Sequence, residues 1–237
     1  MRVLLPLPDR DFDVTEVVVP WRALSDAGVE VVFATEEGAT PACDPLLLEE
    51  GVIFGKLGAL PENCALYRQL EKDEVFLRPR PYAHILVDDL DGLVLPGGHA
   101  KGMRQYLESG LLADKILAFM RAKKPVAAIC HGTIALARTL DPATARSVVS
   151  GRRITGLPKW MEMSAWLLTA WKLGDYYRTY PEWVQEELER HGADFVRGPL
   201  SNDYAAPFVV EDDNLITARW PGDAQAFSTA LVKRLKA

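Results

Sequence analysis

At 237 residues the chain is long enough to bury a full core as one large domain. Its 49% hydrophobic and 25% charged content is that of an ordinary globular protein. A formal net charge of −6 argues against a nucleic-acid or anionic-membrane partner, and no apolar run approaches a membrane span. Three scattered cysteines exclude a disulfide framework and a CxxC metal site, and they fit a reducing cytoplasm.

The first predicted element is a strand over Arg2–Leu7, so no signal peptide is expected ahead of it. A helix is predicted over Val14–Ala27, with Val17, Val18, Trp21 and Leu24 on its apolar face and Pro20 inside it. Gly28 ends that helix, and Val29–Ala34 reads as the next strand. Residues from about 38 to 81 form an insertion longer than an ordinary connection, with one charged helix near Pro61–Phe76. Asp91–Leu95 is a strand closing on Pro96-Gly97-Gly98-His99, Leu111–Ala122 a helix, and Pro125–Ile129 a strand. Further strands are expected at Arg153–Thr155, Asp194–Val196, Phe208–Val210 and Leu215–Ala218, and a closing helix at Asp223–Leu235. This alternation implies a single α/β domain over residues 1–237, with a mainly parallel sheet covered on both faces. The segment from about 159 to 189 holds four tryptophans and the Tyr176-Tyr177 pair, with Met161, Ala165, Leu168 and Lys172 at helical spacing. Its aromatics read equally as core or as a lid or dimer surface.

The most informative run is Val126-Ala127-Ala128-Ile129-Cys130-His131-Gly132. Cys130 stands where a buried strand turns sharply into the helix opened by Gly132 and Thr133, the geometry of a nucleophile elbow. Amide dipoles at a helix N-terminus favour the thiolate, and His131 beside it is a candidate base. The plain alternative is a small cysteine packed at a strand end. Gly97 and Gly98 mark a backbone that must turn tightly or approach something closely, and His99 otherwise only satisfies its loop. Glu16 otherwise reads as a first-turn helix acid, and Glu162 as a solvated helix-start carboxylate. Cys43 and Cys64 have no acid–base neighbours in sequence and read as structural.

Pro96-Gly97-Gly98-His99 followed by Ala128-Ile129-Cys130-His131-Gly132 resembles the DJ-1/PfpI superfamily, relatives of the class I glutamine amidotransferases. His99, the run Gly151–Leu157 with Glu162 beyond it, and an insertion bearing Asp44-Pro45 resemble its Hsp31-like, glyoxalase III branch over nearly the whole chain. Thr133 and Ala100-Lys101 depart from that pattern. The resemblance implies a flavodoxin-like three-layer sandwich, a homodimer, and a Cys130–His131–Glu162 arrangement with Glu16 beside the thiol. It also implies a glutathione-independent glyoxalase that converts a small reactive aldehyde, methylglyoxal, to lactate through a cysteine hemithioacetal, without a cofactor. Gly97, Gly98 and His99 would line the substrate and oxyanion position. The competing functions are a stress chaperone or redox sensor acting through Cys130, and a PfpI-like peptidase or other amide hydrolase. The amidotransferase is disfavoured because His191, the only histidine after His131, precedes Gly192-Ala193 rather than the His-x-Glu it needs. No metal set is expected, since the four histidines show no ligand spacing.

Overall fold

The computed structural model describes residues 1–48 and 58–237. The chain enters through β1 (Arg2–Pro6), β2 (Arg10–Phe12) and α1 (Val14–Asp26), then β3 (Glu30–Thr35) and β4 (Ala42–Cys43). α2 (Pro61–Leu70), α3 (Glu74–Leu77) and β5 (Arg80–Pro81) lead to β6 (Gly92–Leu95). Then come α4 (Met103–Leu107), α5 (Gly110–Arg121), β7 (Val126–Ile129), α6 (Gly132–Arg138), β8 (Leu140–Asp141), β9 (Arg146–Ser147) and β10 (Arg153–Ile154). α7 (Lys159–Leu173), α8 (Val184–Arg190), β11 (Asp194–Phe195), β12 (Val209–Asp212), β13 (Leu215–Ala218) and α9 (Ala224–Leu235) complete it.

Seven strands form the central sheet in the order β12-β13-β7-β6-β1-β3-β5. All neighbours are parallel except the edge pair β12–β13. The inner strands β1, β6, β7 and β13 carry almost only apolar residues, as strands covered on both faces must. Helices pack on them around one hydrophobic cluster that includes Leu4, Leu93, Ile129, Ile216 and Phe227. Being parallel and adjacent, β1, β6 and β7 deliver their carboxyl ends, and the loops that follow, to one edge of the sheet.

Two expectations are corrected. The charged helix of the insertion is two helices, because Asp73 accepts the Val75 N–H and starts α3 afresh after a turn at Glu71-Lys72. Part of the predicted insertion, residues 49–57, lies outside the described residues. The strands predicted at Arg153–Thr155 and Asp194–Val196 pair with each other in a separate two-stranded ladder rather than joining the main sheet. In α7 the buried face is Met161, Glu162 and Thr169, whereas Leu168 and Trp171 are 71% and 73% exposed. The helical spacing expected for this segment is met by α7, whose inward face carries a carboxylate.

α1 runs unbroken through Pro20. A proline has no N–H for the carbonyl four residues back, which here is that of Glu16. The first turn of α1 is therefore released from the ordinary helical ladder at the residue that the sequence singles out.

Candidate active site

The sharp turn after β7 is built by sterics. Gly132 lies so close to β6 that a Cβ there would sit 2.1 Å from the Leu95 carbonyl oxygen and 2.7 Å from that of Pro96. Only glycine lets helix α6 start at this distance. Cys130, two residues before, adopts φ 55°, a left-handed conformation costly for a residue with a side chain. Hydrogen bonds hold it there. The Cys130 N–H donates to the Ala218 carbonyl at 3.1 Å, and the Thr133 hydroxyl donates to the Cys130 carbonyl at 2.7 Å. Thr133, a departure from the family pattern, is thus part of the elbow. Gly156 leaves room for it, since a Cβ there would meet the Thr133 Oγ1 at 2.6 Å.

Around the elbow the fold gathers the residues read from the sequence. The Cys130 Sγ lies 3.5 Å from His131 Nδ1, and His131 Nε2 lies 3.4 Å from Glu162 Oε1. Both His131 and Glu162 are 1% exposed. Glu162 comes from the first turn of α7, and its Oε2 accepts the Val184 N–H at 3.1 Å, tying it to α8. The reading of Glu162 as a solvated carboxylate is therefore corrected: it is buried, with one oxygen on the imidazole and one on a backbone amide.

Glu16 is fully buried, and its Oε2 accepts the Gly97 N–H at 2.7 Å. Gly97 cannot be larger, because a Cβ would lie 2.7 Å from the His131 nitrogen and 2.9 Å from Glu16 Oε2. The Gly97 N–H is thus committed to Glu16, which leaves Gly98 and His131 as the candidate oxyanion donors. The other carboxyl oxygen of Glu16 has no conventional partner and faces the Cys130 thiol. Burial, then the charge of Asp13, pushes the Glu16 carboxyl well above its ordinary value. The Cys130 thiol is also pushed up, by burial and then by Glu16 and Asp13. Burial thus opposes the thiolate that the helix amides favour. Two buried acids in contact cannot both ionise. Its raised pKa favours the proton on Glu16, and a protonated Glu16 no longer opposes a thiolate.

His99 packs edge-on against the His131 ring, 4.7 Å between centroids, and against Tyr177 at 4.5 Å. Burial and the neighbouring His131 hold its pKa well below the usual histidine value, so it is neutral. A cavity of about 360 Å³ opens beside this group, lined by Asp13, His99, Trp160, Glu162, Tyr177 and Trp220 among others. Among the described residues, His99, Cys130 and His131 bring donor atoms close enough for one metal ion.

Asp13 escaped the sequence reading. The signal was available, since an aspartate just before an apolar helical run is an N-cap. Its Oδ1 accepts the Glu16 N–H at 3.0 Å, and its own N–H donates to the Gly97 carbonyl at 2.8 Å. Burial pushes its carboxyl from 3.8 up to about 6. The folded state then holds this proton up to a higher pH than the unfolded chain does. Stability should fall as pH rises from about 3.8 to about 6, and the deficit should be complete above that. Asp13→Asn keeps the cap without the charge. Its stability relative to wild type should therefore rise between pH 4 and pH 7, by about 3 kcal/mol at most. Urea unfolding at both values measures this, and a pH-independent difference would show that Asp13 titrates normally.

Comparison with known proteins places these features in context. A family model described as ThiJ/PfpI family-like matches residues 7–198. A deglycase of Pyrococcus abyssi is 27% identical over the full length of both chains. An uncharacterized protein of Schizosaccharomyces pombe is 28% identical over 98% of this chain and 82% of its own. The crystal structure of glyoxalase III from Candida albicans has the same fold, with a TM-score of 0.75 at 19% identity, covering 99% of this chain and 97% of the other.

Proposed function

Since the chain belongs to the ThiJ/PfpI-like family of the DJ-1/PfpI superfamily, we propose that it converts a small α-oxoaldehyde such as methylglyoxal to the 2-hydroxy acid lactate, with water as co-substrate. The observation that carries this reading is the linear array of thiol, imidazole and carboxylate, with Sγ to Nδ1 at 3.5 Å and Nε2 to Oε1 at 3.4 Å.

In this reaction the Cys130 sulfur adds to the aldehyde carbon. A C–S bond forms, and the carbonyl oxygen takes up the proton that the thiol gave, yielding a hemithioacetal. His131 removes the hydrogen of that carbon as a proton and returns a proton to the neighbouring carbon, so the aldehyde carbon becomes a thioester. Water then cleaves the C–S bond, releasing lactate and the thiol. Glu162 orients the imidazole and offsets its charge when it holds the proton. Protonated Glu16 hydrogen-bonds to the sulfur while it is anionic. Gly98 and His131 N–H groups face the developing oxyanion.

The test is lactate release from methylglyoxal by the purified protein without glutathione. Wild type should produce it catalytically, and its absence would sink the reading. A second reading draws on the deglycase relatives: release of the same aldehyde from an adduct. The cavity favours it, being several times larger than a three-carbon aldehyde requires at about 360 Å³. Feeding a preformed methylglyoxal–thiol adduct, with free methylglyoxal trapped, separates the two.

Glu162→Gln should lower kcat by about a hundredfold. The amide oxygen still accepts the Val184 N–H, but its NH2 meets Nε2 as a donor and imposes the wrong tautomer on His131. Because the position is buried, thermal stability should drop by a few degrees rather than stay unchanged. Full activity in this variant would remove Glu162 from the array, and a chain that does not fold would make its role structural.

A further inference from the structure

His99, Cys130 and His131 come from two separate loops, which is why their sequence spacing shows no ligand pattern. In the fold, their donor atoms all lie within 4.8 Å of one another. The Cys130 Sγ and His131 Nδ1 are 3.5 Å apart. A sulfur and a nitrogen on one tetrahedral zinc ion are separated by about 3.6 Å, given the usual bond lengths. His99 Nδ1 is buried and has no hydrogen-bond partner, an unmet polar atom in this corner of the site. Behind His131 stands the support that a ligating histidine ordinarily has: Nε2 faces the Glu162 carboxylate, itself fixed by the Val184 N–H. Two imidazoles and a thiolate suit Zn2+, Co2+ and similar ions rather than Mg2+ or Ca2+. Three protein ligands leave a fourth position, on the side of the cavity that His99 and Glu162 line.

We propose that His99, Cys130 and His131 bind a zinc-class divalent ion, and that the ion switches the enzyme off reversibly by occupying the nucleophile. On binding, the metal–sulfur bond replaces the S–H bond and the proton leaves to solvent. A thiolate donating to a metal no longer attacks an aldehyde. The inhibitory half rests on the α-oxoaldehyde reading of the site, whereas the binding half does not.

The experiment titrates chelator-treated, full-length protein with Co2+. Wild type should take up one equivalent with a thiolate-to-cobalt charge-transfer band, which Zn2+ abolishes by displacement. Cys130→Ala should lose the band. His99→Ala and His99→Gln should weaken binding about a hundredfold, at the upper end of what losing a supporting residue costs. His191→Ala should change nothing. Stoichiometric Zn2+ should stop lactate release, and a chelator should restore it. Absence of the band in wild type, or unchanged affinity in both His99 variants, overturns the site. A band with turnover undiminished by Zn2+ overturns the inhibition. A band in a protein that never makes lactate leaves the metal site standing and removes the aldehyde reading instead.

Discussion

Cys130→Ser should lower lactate formation by about a thousandfold or more, while the protein folds as before. A hydroxyl has no comparable anion at neutral pH, and single losses from such an array cost nearly as much as losing the whole. Serine is close enough in size to keep the left-handed turn and its bonds to Ala218 and Thr133. Cys43→Ala should leave turnover intact. Burial pushes the Cys43 thiol up to about 12, so it is no nucleophile at neutral pH. Steady-state kinetics with matched far-ultraviolet circular dichroism decides the matter. A serine variant with a tenth of wild-type activity would place the chemistry elsewhere.

Gly132→Ala should be the most destabilising small substitution in the molecule. The added Cβ would lie 2.1 Å from the Leu95 oxygen and 2.8 Å from its carbonyl carbon. Both are backbone atoms of a central strand, so no side chain can swing aside. Overpacking commonly costs 1–3 kcal/mol, and a backbone-to-backbone clash belongs at or beyond the upper end. A loss of about 3 kcal/mol or more corresponds to a fall in Tm of roughly 6–12 °C for a chain of this size. Gly110→Ala is the control. Nothing lies within 4 Å of its added Cβ, and it opens helix α5, so it should be neutral or slightly stabilising. Equal melting temperatures for the two variants would mean that the elbow does not require close approach.

These glycines also show what sequence could carry. An elbow has a local signature: four small or apolar residues, then Cys-His-Gly. That run placed Cys130 and His131 correctly at the end of β7. The strand–helix alternation likewise gave the sheet, because doubly covered parallel strands must be apolar throughout. Other features depend on partners distant in sequence. Whether Glu162 is buried is settled by α8 packing over it, and nothing in the first turn of α7 shows that. Whether the Gly97 N–H is available is settled by Glu16, which claims it from the first turn of α1. The ladder of Arg153–Ile154 with Asp194–Phe195 reads as two ordinary strands until the sheet is seen to be complete without it. Asp13 shows the reverse, a local signal that was present and passed over.

Arg219 is fully buried and paired with Asp223, itself fully buried, at 2.8 Å. It follows Ala218, the residue whose carbonyl holds the Cys130 N–H. Its guanidinium also donates to the carbonyls of Pro199, Ser201 and Ala206, so one cation ties β13, the neighbour of the strand that ends at Cys130, to the loop that supplies Asn202 and Tyr204 to the cavity wall. Every one of those grips is on main-chain oxygen. These grips do not depend on the loop's side chains, which add contacts of their own: the Tyr204 ring packs on Trp220, 4.9 Å between centroids. Asn202 can be exchanged, by drift or by a laboratory library, without touching those bonds, whereas replacing Tyr204 gives up its ring contact with Trp220. Under the proposed reaction, position 202 is thus a place where selectivity can change while the reacting groups stay fixed.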